Sequence, residues 1–385
     1  MARSPWRLTF ILALAVPLFC TPDQSAREDR VETLKQAAKL IDDHDLAAAE
    51  GILQKLLAAR STDPVALNLL GYVRMQQQNT AEAEKLFQRA IEGNPLLPGA
   101  HLNLALLYAN DRPEDAIAEL GNALAIEPED TDAQQALRRI SAAAAAASAG
   151  AGDKEKALAL MLQAHQIMPH DPELLVDTAL AAMDKGLYRD GEKYLLDALR
   201  IRSNFPRATY ALARAYLAQN KLLPAEEQMR KYLAACPDDA TAQYGLGYIL
   251  VAEQKPDAAR PAFERSLALQ PQQTESLFQL GEIALQEGHS EQAADRYAKV
   301  LERDPGHAGA LTGMGIIAFR AGRLEEAQNR LQTAAERAPG YYKAHYYYAL
   351  TLRKLGKTEE AEREFHIATN LQKRDKPTMD LAPGQ

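Results

Sequence analysis

TESLFQLGEIALQEGHSEQAADRYAKVLERDPGH, residues 274–307, is the stretch whose spacing decides the fold. Leu277, Leu280, Gly281 and Ala284 fall at i, i+3, i+4 and i+7, the apolar stripe of one helix. Ala293, Tyr297, Val300 and Leu301 repeat that spacing on a second helix. Between them, Gly288 stands where a helix ends in a left-handed residue, and Ser290 is placed to cap the helix that follows. Pro305 opens the lead-in to the next helix, where a missing N–H costs nothing. Gly281 and Ala293 predict a close crossing of two antiparallel helices, with Tyr297 filling the gap beside it.

The same marks recur every 34 residues. Ala225, Ala259, Ala293, Ala327 and Ala361 form one row of this comb. Pro237, Pro271, Pro305 and Pro339 form a second, and Gly247, Gly281 and Gly315 a third. A fixed period of this length means one supersecondary unit copied and stacked, each copy burying its apolar face on its neighbours. Composition agrees: the chain is 47% hydrophobic and 25% charged, the values of a folded soluble protein.

The pattern resembles the tetratricopeptide repeat family. Its motif prefers, in order, a large residue, Leu, a small residue, Tyr, Ala, an aromatic, Ala and Pro. Residues 64–97 carry Leu67, Leu70, Gly71, Ala83, Phe87, Ala90 and Pro95 in those places. Residues 240–273 carry Leu246, Gly247, Ala259, Phe263 and Pro271, and residues 308–341 carry Leu311, Gly315, Ala327, Leu331, Ala334 and Pro339. Residues 342–373 add Tyr348, Ala349, Ala361, Phe365 and Ala368. The resemblance implies an all-α fold, a right-handed superhelical solenoid of about ten antiparallel helix pairs.

The register is strict in 206–373 and loosens in 98–205. Residues 27–130 read as an N-terminal block, 131–171 as an irregular unit, and 172–373 as a C-terminal block. Within the first block, the loop before Pro64 reads as longer than usual, and the unit at 98–130 as shortened around Asn110–Asp115. The first half of 131–171 is seven residues too long and contains Ala142–Ala147, then Gly150 and Gly152. It reads as a lengthened alanine-rich helix ending in a glycine turn; the alternative is a hinge between the two blocks. Residues 374–385 are polar, hold Pro377 and Pro383, and read as a disordered tail.

Residues 1–26 read as a signal peptide. Arg3 and Arg7 precede an apolar run from Leu8 to Phe19 that is broken only by Thr9 and Pro17. That run is shorter than the ~20 apolar residues a membrane span needs. Cys20 or Ala26 is the last residue removed, or Cys20 is a lipid anchor. The expected location is therefore the periplasm or cell envelope, with an extracellular location also open. Cys236 then remains as the one thiol, too few for an internal disulfide, and is expected buried.

Chemistry is sparse. The formal charge of −8 argues against duplex nucleic acid, which needs a basic stripe. Gly245/Gly247 and Gly313/Gly315 suggest nucleotide loops only superficially, because they lie inside first helices with no preceding strand. The eight histidines are scattered without an i, i+4 metal-ligating pair. No cofactor, metal or catalytic constellation is expected, and an enzyme is not.

In the family, first helices line a concave face that takes extended peptides or partner helices. Carried onto this sequence, that resemblance nominates Tyr210, Arg214, Tyr244, Tyr248, Phe278, Glu282, Phe319 and Tyr346 as a peptide-binding groove. Leu285, Thr312, Ile316, Lys343, Leu350 and Arg353 fall on the same side. Tyr and Arg are typical of interface centres. The Lys/Asn/Arg carboxylate clamp of chaperone-binding members is absent from the matching positions. Five tyrosines between Tyr341 and Tyr348 exceed what one helix stripe can bury, so some are expected exposed. Lys354, Lys357, Arg363 and Glu364 are expected to cover the last unit's outer face. The reading is an exported, non-catalytic adaptor or scaffold for a protein or peptide; the alternative is a structural spacer in an envelope secretion or polysaccharide-export assembly.

Overall fold

The structure, a computed structural model, describes residues 24–374. The apolar leader with Cys20, and the tail beyond Arg374, lie outside the described residues. Twenty helices and no strand occur among those described. Two compact bodies make up the chain, one ending at Ala211 and one beginning at Leu212.

The first body holds α1 (Gln24–Asp42), α2 (Leu46–Ala59), α3 (Pro64–Gln76), α4 (Thr80–Gly93), α5 (Pro98–Tyr108) and α6 (Pro113–Ile126). It continues with α7 (Thr131–Gly150), α8 (Lys154–Ile167), α9 (Pro172–Asp184) and α10 (Tyr188–Ile201). The boundary falls inside α11 (Pro206–Ala218). The second body continues with α12 (Leu222–Ala235), α13 (Ala240–Ala252), α14 (Pro256–Leu269), α15 (Thr274–Gln286) and α16 (Ser290–Arg303). It ends with α17 (Ala308–Arg320), α18 (Leu324–Arg337), α19 (Tyr342–Lys354) and α20 (Thr358–Arg374). Helices of a pair pack together, as α3 on α4 and α17 on α18. Within each body second helices pack on the next first helix, as α4 on α5 and α16 on α17, and first helices touch across pairs, as α15 on α17 and α17 on α19.

The comb is the packing code of these pairs. Ala225, Ala259, Ala293 and Ala327 are fully buried. Opposite them, a ring or branched side chain lies over a glycine: Phe87 over Gly71, Phe263 over Gly247, Tyr297 over Gly281 and Leu331 over Gly315. A Cβ on any of these glycines would stand 2.5–2.7 Å from the covering side chain. The residue after the comb alanine also reaches forward to the next unit. Glu50 accepts from Arg74 at 2.8 Å, Glu84 from Arg112 at 2.9 Å and Glu226 from Lys255 at 3.2 Å. Arg260 donates to Glu287 at 2.6 Å, and Gln328 accepts from Lys357 at 3.2 Å.

A second comb appears in the turns. His44, Gln78, Gly152, Gly186, Asn220, Gln254, Gly288, Gly322 and Gly356 all have positive φ. One such residue closes the first helix of every pair but the third, whose α5 is only 11 residues long. Gly288 is left-handed as expected, with φ 85°. Ser290 is not the cap: it is the first residue of α16, and His289 occupies the cap position without a side-chain capping bond. The three-residue turn leaves no room for both. Capping instead falls to acidic and amide residues, with Asp45, Asn79, Asp153 and Asp239 each accepting from backbone N–H two or three residues on.

Residues 60–63 form a connection of the same length as the later ones, because α2 runs on to Ala59. α7 has 20 residues against 13 in α9, and it runs unbroken to a turn in which Gly152 has φ 86°. Cys236 is half-buried at the end of α12 rather than fully buried, because that end points into a turn.

Candidate functional site: the first-helix face

Tyr210 lies in the first body, half-buried on α11. The other seven nominated residues belong to the second body, where Arg214 is exposed. On α13, Tyr248 is 45% exposed and Tyr244 is half-buried, their ring centroids 6.4 Å apart. Tyr244 also rests 5.8 Å from Phe263 of the neighbouring second helix. Burial, and then the charge of Glu275, raises its hydroxyl pKa above the usual phenol value. The pair is anchored at one ring and presented at the other.

Phe278 and Glu282 on α15 serve the array itself. Phe278 sinks onto Gly309, where a Cβ would stand 2.6 Å from its ring, and lies 4.9 Å from His307. Glu282 accepts the Tyr297 hydroxyl at 2.7 Å and Lys343 Nζ at 2.8 Å. Burial first, and Glu282 second, push the Tyr297 phenol far upward, so it stays a donor. Leu285, Thr312 and Ile316 are buried and contribute no surface.

Phe319 and Tyr346 are brought together through Tyr347. The Tyr347 ring meets Phe319 edge-on at 6.2 Å and Tyr346 edge-on at 5.5 Å. Tyr346 is 36% exposed and stacks on Tyr342 at 5.7 Å with rings 25° apart. Of the five clustered tyrosines, Tyr348 is buried and Tyr346 is the exposed one. Lys354 does not cover the outer end of α20: its Nζ lies 4.4 Å above the Phe319 ring, because the last turn of α19 faces back to α17. Glu364 likewise turns inward, to His345 Nδ1 at 2.6 Å. Two aromatic groups thus stand on the first helices, Tyr244/Tyr248 and Phe319/Tyr346.

Sequence reading missed a pair of buried histidines. His101 sits between Glu119 Oε2 at 2.6 Å and the Pro95 carbonyl at 3.0 Å. His345 repeats this between Glu364 and Pro339, at 2.6 and 3.1 Å. The signal was present: each histidine follows a boundary proline by six residues. No group of three or more His, Cys, Asp or Glu that could hold a metal occurs among the described residues. No described helix is long and apolar enough to cross a membrane.

Family models described as tetratricopeptide repeat match residues 34–100, 68–133, 176–240, 210–274 and 244–308, and again 284–340 and 318–378. The chain belongs to the tetratricopeptide repeat family. The unmatched stretch between these matches holds most of α7 and α8, where the lengthened helix breaks the period. One relative, cellulose synthase operon protein C of Xanthomonas axonopodis pv. citri, is 41% identical over 61 residues. That match covers 16% of this chain and only 4% of the relative. Among solved structures, YrrB, a tetratricopeptide repeat protein with an unusual peptide-binding site, is 26% identical over 48% of this chain and 95% of its own, with TM-score 0.41. MamA from Desulfovibrio magneticus RS-1 is 22% identical over 44% of this chain and 97% of its own, with TM-score 0.41. The Cut9–Hcn1 hetero-tetramer chain is 14% identical over 88% of this chain and 86% of its own, with TM-score 0.46.

Proposed function

We propose that this chain is an exported, non-catalytic adaptor that holds a protein or peptide on the first-helix face of its second body. The observation that carries the reading is the exposure of Tyr248 and Tyr346. Both are large aromatic residues left open on helices whose other tyrosines are half-buried or buried. Open aromatic area on a rigid helical frame is the usual starting point of an interface. Export rests on the leader at 1–26, with Cys20 as a possible point of lipid attachment.

Crosslinking in the native envelope, followed by identification of captured partners, tests this reading. Replacing Tyr248 and Tyr346 by Ala together is expected to abolish capture of the main partner. Undiminished capture by that variant sinks the groove.

A second reading makes the array a spacer in an envelope assembly for secretion or polysaccharide export. It is favoured by the 61-residue likeness to cellulose synthase operon protein C. Substitutions on exposed second-helix positions such as Lys299 and Asn329, rather than on the tyrosines, then break assembly.

A further inference from the structure

The charge of the chain is −8, yet α17 and α19 contain no Asp or Glu at all. They carry Arg320, Lys343, Arg353 and Lys354. Lys343 spends its charge on Glu282. Among the described residues, no carboxylate pairs with Arg320, Arg353 or Lys354, and all three are exposed. Several cations elsewhere in the same body are matched: Arg230 and Lys255 meet Glu226, Arg260 meets Glu287, and Arg330 meets Glu326.

Two of these unmatched cations stand on aromatic rings, and Arg320 donates to the Leu285 carbonyl at 3.3 Å. Lys354 Nζ lies 4.4 Å above Phe319, and the Arg353 guanidinium carbon lies 5.2 Å above Phe365. A ring face holds a cation in place without neutralising its charge, so the outer N–H groups remain as donors. Tyr346 lies 6.0 Å from Phe365 and opens to solvent beside them. Cations fixed on rings next to an open aromatic form a surface complementary to a carboxylate beside an apolar side chain.

We propose that the α17/α19 face takes an acidic peptide segment, in which Asp or Glu residues meet Arg353 and Lys354 while an adjacent apolar side chain covers Tyr346. This rests on the adaptor reading and adds the chemistry of the partner. A polyanionic nucleic acid suits the surface less well. Three unmatched cations on two helices make no phosphate track, and the acidic remainder of the chain repels one.

The test is selection of a random peptide library on the full-length protein at low and at 0.5 M salt. Vesicles of anionic phosphatidylglycerol serve as a parallel probe. Enriched peptides are expected to be rich in Asp and Glu next to Leu, Phe or Trp, and 0.5 M salt is expected to weaken capture roughly tenfold. Arg353→Glu with Lys354→Glu is expected to reverse the charge preference. The milder Arg353→Gln with Lys354→Gln pair, with an unchanged melting curve, is expected to remove it. Enriched peptides that need Tyr346 but show no acidic bias would overturn the inference while leaving the adaptor reading standing. Acidic peptides whose capture ignores both pairs of variants, no enrichment at all, or binding to the vesicles alone would also overturn it.

Discussion

Tyr297 lies across Gly281 so closely that a Cβ on that glycine would stand 2.7 Å from the ring. Gly313 of the next pair receives the other edge of the same ring and is tighter still. The ring is fully buried, and its hydroxyl is tied to Glu282, so it has nowhere to retreat. Gly281→Ala is therefore expected to cost about 1–3 kcal/mol, the usual penalty of forcing bulk into a packed core. Gly340→Ala, with nothing within 4 Å of its added carbon, is expected to stay within about 0.5 kcal/mol of the parent. Urea midpoints followed by circular dichroism check both, and equal midpoints would show that the ring does not set the helix spacing.

This contact explains why the fold was legible and the site only partly so. Gly281 and Tyr297 are 16 residues apart and recur with the period, so their pairing is written locally and repeatedly in the sequence. The motif also tells which side of a first helix faces inward. It does not tell whether the neighbouring unit leaves that side open. Gly309 on α17 lets Phe278 sink, and Lys343 on α19 reaches 61 positions back to Glu282. Neither event follows the 34-residue comb, and so two nominated groove residues became packing and bridging groups. Tyr248 and Tyr346 stay open because no such neighbour covers them.

The His101–Glu119 pair gives the first body a pH dependence. Nδ1 faces the carboxylate and Nε2 faces a carbonyl, and a ring donating at both nitrogens is the imidazolium. The bond to Glu119, outweighing burial, raises the His101 pKa above 6.5, and the same bond lowers that of Glu119 below 4.5. A raised histidine pKa adds stability that is complete below 6.5 and is lost as pH rises through the higher folded value. A lowered glutamate pKa adds stability that is complete above 4.5 and is lost as pH falls through the lower folded value. Stability from the pair is thus greatest between those two ordinary values. Urea melts are expected to show the parent losing about 1–2 kcal/mol more than His101→Gln on going from pH 6 to pH 9. Parallel pH profiles for the two proteins would refute the charged pair.

The turn comb predicts stabilisation at its non-glycine members. Gln254 holds φ 61° where the equivalent residue one unit on is Gly288 with φ 85°. An L side chain in that conformation costs roughly 1–2 kcal/mol, part of which glycine gives back as greater freedom of the unfolded chain. Gln254→Gly is expected to gain about 0.5–1 kcal/mol, read as a higher urea midpoint of the second body. A lower midpoint would mean that the Gln254 side chain contributes more than its backbone costs.

Gly150 and Gly152 close the lengthened α7 two residues apart, and they should respond oppositely to the same change. Gly150 is the last residue of the helix and has open space around it, so an added methyl meets nothing and only restricts the unfolded chain. Gly152 has equally open space but φ 86°, so an added methyl strains the backbone itself. Gly150→Ala is expected to stabilise the first body by about 0.5–1 kcal/mol, and Gly152→Ala to destabilise it by about 1–2 kcal/mol. Amide exchange separates two origins for the extra length of α7. If the alanine run is simply a longer helix stopped by a left-handed residue, the opposite signs follow from the two backbone conformations. If residues 142–152 instead exchange between helix and open chain as a hinge, both substitutions shift helix content. Amide exchange of 142–150 in the Gly150→Ala protein would then slow by far more than the gain in stability accounts for.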